Sequence, residues 1–258
     1  MKLGLCAKPD QVNLAAELGF DFVECALNAL ATMPEEEYQQ LLKAAPDFPI
    51  PVTKCNCLLP ADVRPVGPDV SEEQLRTYLE KAFSRASSIG VKVAVFGSGA
   101  SRFVPEGWSH TEAWKQIAAF LKLLAEYCDK YDITIAIEPL RRAECNILNL
   151  VTEGTLLAAL TNHPRIGVLG DTFHMISGGE PYSALTQAGD ALKHIHVSHT
   201  LGDLSGRIYP AEHDGEDYGE LFSVLKAMNY QGDVSIEAGC TDMRAEGAQA
   251  LHCLRKYL

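Results

Sequence analysis

The sequence lacks the surplus of basic residues that nucleic-acid-binding proteins usually carry. Its 22 lysines and arginines are outnumbered by 34 aspartates and glutamates, so the formal net charge is −12. Because phosphate groups attract basic patches, this charge argues against binding to nucleic acid or to an anionic membrane. Apolar runs of the ~20 residues that span a bilayer are missing too. We therefore expect neither nucleic acid nor a membrane as a partner.

A secretory signal and paired cysteine motifs are also missing. Residues 1–6 have the pattern of a short strand, without the long apolar segment and cleavage site of a signal peptide. The eight cysteines are scattered, and the closest pair, Cys55 and Cys57, has no second Cys or His pair nearby. This spacing argues against a structural zinc site. We expect reduced thiols in a cytoplasmic protein.

What the sequence does contain is an eightfold alternation of short apolar segments and amphipathic segments. The apolar segments are rich in Val and Ile, as expected for strands that are buried on both faces. Strict alternation predicts parallel strands joined by right-handed crossovers, and eight units close a (β/α)8 barrel. The predicted strands span 2–6, 22–24, 52–55, 93–96, 134–137, 166–169, 192–197 and 233–236, and the predicted helices span 10–18, 34–45, 71–89, 110–131, 152–160, 182–188, 218–229 and 241–257.

We predict an α/β fold in which residues 1–258 form a single TIM-barrel domain. An open doubly wound sheet is the alternative, but Cys6-Ala7-Lys8-Pro9 follows the first strand where such a sheet usually has a glycine-rich phosphate turn. The segments after the strands are long (56–70, 97–109, 138–151 and 198–217), whereas those after the helices are short. Strand-to-helix loops lie on the C-terminal face of a barrel, so we expect the functional site there.

Four acidic or imidazole side chains stand at the C-terminal ends of four predicted strands: Glu138, Asp171, His196 and Glu237. Three carboxylates and one imidazole favour a hard or borderline divalent cation over structural zinc. Three negative charges in a dry pocket repel one another unless a cation lies among them. Taken singly, each residue has the alternative of being a capping acid or a rim histidine; together they predict one metal site. His194 is interpreted as a buried barrel residue or a partner of the ligands.

Several motifs at these strand ends form a set: Ile137-Glu138-Pro139-Leu140 with Glu144 and Asn149 downstream, Asp171-Thr172-Phe173-His174-Met175, His194-Ile195-His196 and Ile236-Glu237. The set resembles the xylose-isomerase-like sugar isomerase and epimerase superfamily, and within it most of all the D-tagatose 3-epimerase group. The resemblance covers essentially the whole predicted barrel. It implies that Glu138, Asp171, His196 and Glu237 hold one divalent ion, with Mn²⁺ expected and Mg²⁺ or Co²⁺ as alternatives.

The resemblance also implies roles in catalysis and substrate binding. Glu138 and Glu237 are implied as the acid/base pair, and Glu144 and His174 as contacts of the sugar hydroxyls and carbonyl. A cation that polarises a carbonyl makes the neighbouring proton removable and stabilises the enediolate. One carboxylate then removes the proton and the other returns it on the opposite face. We therefore expect an isomerase: a metal-dependent sugar epimerase or aldose–ketose isomerase that acts on a ketose or related polyol-carbonyl compound through a cis-enediolate.

One loop departs from the pattern of the epimerase group. That group places a substrate-binding arginine six residues after the metal histidine, where this chain has Gly202. We predict that Arg207, eleven residues after His196, binds substrate instead, against the alternative of a solvated loop arginine. No glycine-rich phosphate cradle follows the seventh or eighth strand. We therefore favour an unphosphorylated sugar or cyclitol and do not carry over the sugar specificity of the group.

Three other functions compete with this prediction. A dehydratase of a keto-inositol substrate needs the same proton abstraction, and the sequence does not separate it from an epimerase. A catalytically silent sugar-binding barrel is the second, but binding alone needs no acid/base pair. The third, an apurinic endonuclease, is disfavoured by the net charge of −12 and by the lack of histidines directly after the third and fourth strands. A homo-oligomer is possible.

Overall fold

The computed structural model describes residues 1–258 and contains a closed barrel of eight parallel strands. The barrel strands are β1 (Leu3–Cys6), β2 (Phe22–Ala26), β3 (Val52–Asn56), β4 (Val93–Phe96), β5 (Thr134–Ile137), β6 (Ile166–Asp171), β7 (Leu192–Val197) and β10 (Val234–Ile236). The order around the barrel is β1-β10-β7-β6-β5-β4-β3-β2, and β2 pairs with β1 to close it. The prediction of a (β/α)8 barrel is confirmed.

Ten α-helices surround or cap the barrel: α1 (Val12–Leu18), α2 (Leu27–Thr32), α3 (Glu35–Ala44), α4 (Glu72–Ser88), α5 (Gly99–Arg102), α6 (His110–Tyr131), α7 (Val151–Thr161), α8 (Thr172–Gly178), α9 (Tyr218–Ala227) and α10 (Met243–Arg255). Their starts follow ordinary capping chemistry: the Ser71 hydroxyl accepts a hydrogen bond from the Gln74 amide, and Ser109 caps α6 in the same way. No helix is long and apolar enough to cross a membrane.

Three parts of the fold differ from the sequence-based prediction. The prediction of an α-helix at 182–188 is wrong, because Tyr182–Gln187 and Gly189–Ala191 form 3-10 helices. The amides of Ala184 and Ala188 donate to carbonyls three residues earlier, which is the 3-10 pattern. The short helices α2, α5 and α8 were not expected, because four to seven residues are too few to display helical periodicity. The antiparallel pair β8 (His199–Thr200) and β9 (Arg207–Ile208) lies within the segment expected to be a loop.

The barrel interior is apolar on one side and polar on the other. Val95, Ala136 and Leu169 form a separate buried apolar cluster on β4, β5 and β6. Successive side chains of a strand point to opposite faces, so the residues two positions after these three also point into the barrel, at its C-terminal mouth. On the opposite side the interior contains buried polar groups: Glu24, Lys54, His194 and Ser235. The large apolar core fills the layer between the barrel and the helices.

Candidate metal centre

The four side chains predicted as ligands lie together at the C-terminal mouth of the barrel. One ligand atom from each of Glu138, Asp171, His196 and Glu237 lies within 4.8 Å of the others. His196 Nδ1 is 2.9 Å from Glu237 Oε2, 3.2 Å from Glu138 Oε1 and 3.6 Å from Asp171 Oδ2. The imidazole nitrogen therefore faces three carboxylate oxygens, which is the donor set of a hard or borderline divalent cation.

In three of these side chains, the polar atom that faces away from the centre makes a hydrogen bond to another part of the protein. Asp171 Oδ1 accepts a hydrogen bond of 3.0 Å from the His174 amide and so caps α8. Glu237 Oε1 accepts one of 2.8 Å from Asn56 Nδ2. His196 Nε2 donates to Glu24 Oε1 at 3.0 Å. Each ligand thus has one fixed atom and one atom left for a cation, and the residues fit a bound divalent ion.

The fourth side chain, Glu138, is placed by close packing and by a buried arginine. A Cβ atom on Gly97 would come within 2.1 Å of Glu138 Oε2, so only glycine leaves room for this carboxylate. Arg102 is fully buried and donates to the backbone carbonyls of Phe96 and Glu138 at 2.8 and 2.7 Å. The end of β5 is therefore fixed at the position where Glu138 leaves the strand.

The centre attracts positive charge. Burial alone would lower the pKa of His196, but the charges of Glu237 and Glu24 outweigh it and raise that pKa well above its usual value. Arg207 adds a second cation: its Nη1 lies 2.7 Å from Asp171 Oδ2 and its Nη2 lies 2.9 Å from Glu237 Oε2. A cluster of carboxylates that draws both an imidazole and a guanidinium has the electrostatics that a cation site requires.

The two carboxylates implied as the acid/base pair have different surroundings. Burial and the nearby charge of Glu237 raise the pKa of Glu138 above its usual value. Burial acts on Glu237 in the same direction, but the charges of His196 and Arg207 outweigh it and lower the pKa of Glu237. The two carboxylates therefore differ in their tendency to hold a proton, which is greater for Glu138 than for Glu237.

Arg207 lies over the centre because a hairpin returns the chain to the barrel mouth. Thr200 and Arg207 are paired residues of β8 and β9, and Ile208 forms a bridge to Gly239 beyond β10. The guanidinium of Arg207 also lies 5.2 Å from the centre of the Phe173 ring. Its side chain is 21% exposed, so it is a partly covered residue of the site.

His174 and Glu144, the other two residues implied in substrate binding, both contact Arg141. His174 is buried, and its Nδ1 accepts a hydrogen bond of 3.2 Å from the Arg141 amide, so its Nε2 carries the hydrogen. Glu144 accepts from Arg141 Nε at 2.7 Å and is 39% exposed. His174 thus offers a donor, whereas Glu144 is paired with Arg141 outside the cluster of four.

Sequence reasoning missed two residues that support the centre, Glu24 and Asn56. Both are polar residues at or near the end of an apolar strand, the same signal that identified the four ligands in the second half of the chain. A cavity of about 270 Å³ lies beside the centre, between β1, β2 and β3, and both residues line it together with Cys6 and Lys8. Its volume is close to the ~300 Å³ at which small-molecule sites begin, so it provides space for part of a small substrate.

Comparison with known proteins connects this arrangement with a protein family. A family model described as xylose isomerase-like TIM barrel matches residues 12–257. A probable ketose 3-epimerase of Synechocystis sp. is 36% identical over 118 residues, which are 45% of this chain and 39% of that protein. The chain thus matches well under half of the length of that relative. A D-psicose 3-epimerase of Agrobacterium fabrum is 23% identical over 88% of this chain and 77% of its own length.

Solved structures share the whole architecture. The crystal structure of D-psicose 3-epimerase with D-tagatose from Clostridium cellulolyticum H10 superposes with a TM-score of 0.83 and 19% identity. The superposition covers 100% of this chain and 99% of that one. At this identity the likeness establishes the fold, and the chemistry has to be argued from the residues at the barrel mouth.

Proposed function

The chain belongs to the xylose isomerase-like TIM barrel family, and on that basis we propose that it is a divalent-metal-dependent sugar epimerase. The family match confirms the resemblance inferred from the motifs at the strand ends. The observation that carries the proposal is the convergence of three carboxylates and one imidazole nitrogen within 4.8 Å at the barrel mouth. Relatives described as ketose 3-epimerases support a ketose or a related polyol-carbonyl compound as the substrate.

The proposed reaction inverts a carbon next to the carbonyl. Glu138, Asp171, His196 and Glu237 would hold a divalent cation, which would supply polarisation of the substrate carbonyl and so make the neighbouring proton easier to remove. Glu138 follows β5 and Glu237 follows β10, the two outer strands of four consecutive ones in the barrel. The two carboxylates therefore approach the reacting carbon from different sides. One removes the proton and the other returns it on the opposite face.

Substrate contacts are assigned to three further residues. His174 Nε2 carries a hydrogen that has no protein acceptor and is proposed to donate to a substrate oxygen. Arg207 is proposed to bind a hydroxyl or carbonyl oxygen of the sugar, the role that the epimerase group gives to an arginine at the position of Gly202. Glu144 is proposed to accept from a sugar hydroxyl at the edge of the site, where its partner Arg141 is also bonded to the Leu204 carbonyl.

Mn²⁺ is proposed as the native ion, with Mg²⁺ and Co²⁺ as alternatives. A site with three carboxylates and one imidazole suits ions that prefer oxygen ligands and octahedral geometry. The test is a screen of unphosphorylated ketoses and keto-cyclitols with each of the three ions and with EDTA. The proposal predicts epimer formation that needs the ion and is lost with EDTA. A keto-inositol dehydratase would release water from a cyclitol instead, and a silent binding barrel would turn over no compound under any condition.

We also propose that the protein forms a homo-oligomer through helix α7. Leu156 and Leu160 share one face of α7 and are 60% and 64% exposed. Together with Trp114 of α6 they line an apolar groove of about 390 Å³, which Lys115 and Glu153 flank. An exposed apolar groove with charges of both signs at its rim suits a two-fold contact with a second copy.

The state of the cysteines supports the cytoplasm as the proposed location. All eight are free thiols, and Cys57 and Cys240 are exposed. Exposed thiols suit a reducing compartment such as the cytoplasm, in which they stay reduced.

A further inference from the structure

Glu24 on β2 is a fully buried carboxylate that the proposed reaction does not use. Acidic side chains are almost never fully buried unless they are paired. Both oxygens of Glu24 have partners: Oε1 accepts from His196 Nε2 at 3.0 Å, and Oε2 accepts from the Ser235 hydroxyl at 2.7 Å and contacts His194 Nε2 at 2.8 Å. This carboxylate is therefore part of a polar network built around the back of the metal centre.

The position of Glu24 determines which nitrogen of His196 faces the centre. His196 Nδ1 points at the carboxylate oxygens of Glu138 and Glu237, so Nδ1 is the atom that a cation would bind. A ligand nitrogen needs a free lone pair, and the hydrogen of a neutral imidazole must then lie on Nε2. Glu24 Oε1 is the acceptor that receives this hydrogen.

We propose that Glu24 is a positioning residue, which holds His196 with its hydrogen on Nε2 and its Nδ1 lone pair towards the metal. A carboxylate behind a ligand histidine fixes the ring and makes the ligand nitrogen more basic. The inference rests on the proposed metal centre and is independent of which sugar is the substrate. It adds a fifth residue to the site, the carboxylate of Glu24 on β2, which supports the ligand His196 from behind.

Glu24 is itself held in place from the opposite side. His194 Nδ1 donates to the Asp233 carbonyl at 3.0 Å, which fixes the ring of His194. On the other side of the carboxylate, the Ser235 hydroxyl donates to Glu24 Oε2 at 2.7 Å, and His194 Nε2 lies 2.8 Å from the same oxygen. Glu24 Oε2 is therefore enclosed by two polar side chains, which leaves Oε1 for His196.

The alternative, that Glu24 is itself a metal ligand together with Cys6 and His196, is less consistent with the contacts. These three residues do lie close to one another. However, the Oε1 atom of Glu24 is at ordinary hydrogen-bond distance from His196 Nε2.

The experiment compares Mn²⁺ affinity of the full-length protein with that of Glu24→Gln, a variant of the same shape without the charge. We expect binding weakened about 10- to 100-fold, the effect of removing such a supporting partner. Ser235→Ala is the matched control, because it removes a hydrogen bond to Glu24 on the side away from His196. We expect its affinity to change much less than that of Glu24→Gln. Circular dichroism of both variants verifies that the barrel is folded.

A spectroscopic readout separates positioning from a merely structural role. In the Mg²⁺-loaded protein, ¹⁵N NMR of the histidine rings should detect a slowly exchanging hydrogen on His196 Nε2, and Glu24→Gln should alter that signal. Wild-type affinity and an unchanged His196 signal in Glu24→Gln would overturn the inference while leaving the proposed function intact. Failure of the unsubstituted protein to bind Mn²⁺ or Mg²⁺ would overturn both.

Discussion

At the scale of single residues, each of three ligand side chains uses one polar atom for a supporting hydrogen bond and has another that faces the metal centre. Asn56 holds Glu237 by Oε1, the His174 amide holds Asp171 by Oδ1, and Glu24 accepts from His196 Nε2. The remaining oxygens and His196 Nδ1 face one another. Because the supporting bonds are already made, a cation and a substrate would meet ligands that need little rearrangement.

The acid/base assignment leads to a prediction about Glu237. Glu237→Gln removes a carboxylate that moves a proton in the proposed reaction, so we expect kcat to fall by about 100-fold or more. Steady-state kinetics at saturating Mn²⁺ measure this, with metal analysis to verify that the ion is still bound. Glu112→Gln, half exposed in the first turn of α6 and paired with Lys115 outside the cluster of four, is the control. Full activity of Glu237→Gln would show that the proton-transfer assignment is wrong.

The ion pair of Lys54 and Asp233 predicts how stability depends on pH. Lys54 Nζ lies 2.6 Å from Asp233 Oδ2, and the side chains are 6% and 26% exposed, so the lysine is buried and the aspartate is partly buried. Burial alone would raise the pKa of Asp233, but the charge of Lys54 outweighs it and lowers that pKa below its usual value. A lowered folded-state pKa contributes stability that is present above the unfolded value of ~3.9 and is lost as the pH falls through the folded one.

Asp233→Asn is therefore expected to lower the free energy of unfolding at neutral pH, by about 3 kcal/mol for a buried partner. The difference from the unsubstituted protein should shrink as the pH falls below ~4, where Asp233 binds a proton in the unfolded chain, and should disappear once the pH has passed the lowered folded-state pKa. Urea unfolding of both proteins across this range gives the comparison. A difference that stays constant down to acid pH would mean that the charge of Asp233 contributes nothing.

Residue types at strand ends were enough to predict four members of the site, but not their supports. The pattern of an apolar run ending in an acid or imidazole identified Glu138, Asp171, His196 and Glu237. Glu24 ends a similar run on β2, yet its role depends on two histidines of β7 about 170 residues away. Such pairing across the barrel is set by strand order and register, which local sequence does not contain.

At the scale of elements, the segment between β7 and α9 determines what lies over the centre. It was predicted as one long loop, and the structure contains the two-residue strands β8 and β9 within it. Strands this short leave no alternating pattern to read, so the hairpin could not be predicted from sequence. The hairpin nevertheless decides the position of Arg207, because it turns the chain back and brings the guanidinium within 3 Å of Asp171 and Glu237.

This hairpin yields a prediction for Arg207→Gln. Loss of a charge-assisted hydrogen bond to a sugar oxygen is worth about 1.5–3 kcal/mol, so we expect kcat/KM to fall roughly 10- to 150-fold. Kinetics on the best ketose of the screen measure the change. Arg244→Gln, on the exposed face of α10, serves as the matched control. Equal kcat/KM for both variants would exclude Arg207 as a substrate-binding residue.

At the scale of the whole molecule, two surfaces have exposed large apolar side chains. Phe103, Leu204 and Ile208 belong to the loops and hairpin on the C-terminal face of the barrel, whereas Leu156 and Leu160 lie on the outer helix α7. Exposed apolar patches away from a ligand site commonly mark contacts between proteins. The α7 face is therefore the surface on which the proposed homo-oligomer depends.

The double substitution Leu156→Glu with Leu160→Glu tests that surface. It places like charges in a two-fold contact, so the oligomer should dissociate to single chains. Sedimentation velocity or light scattering measures the mass in solution. Leu258→Glu, which alters a partly exposed leucine at the C-terminus, should leave the mass unchanged. An unsubstituted protein that is monomeric at high concentration would refute the proposed contact.

The proposed epimerase chemistry is tested most directly by proton NMR of a ketose incubated with the protein in D₂O. With Mn²⁺ or Mg²⁺ present, we expect deuterium at the carbon beside the carbonyl, appearance of the epimer, and no loss of water. EDTA should abolish the exchange, and readdition of the ion should restore it. Exchange that persists without any divalent ion, or a product that has lost water, would contradict the account.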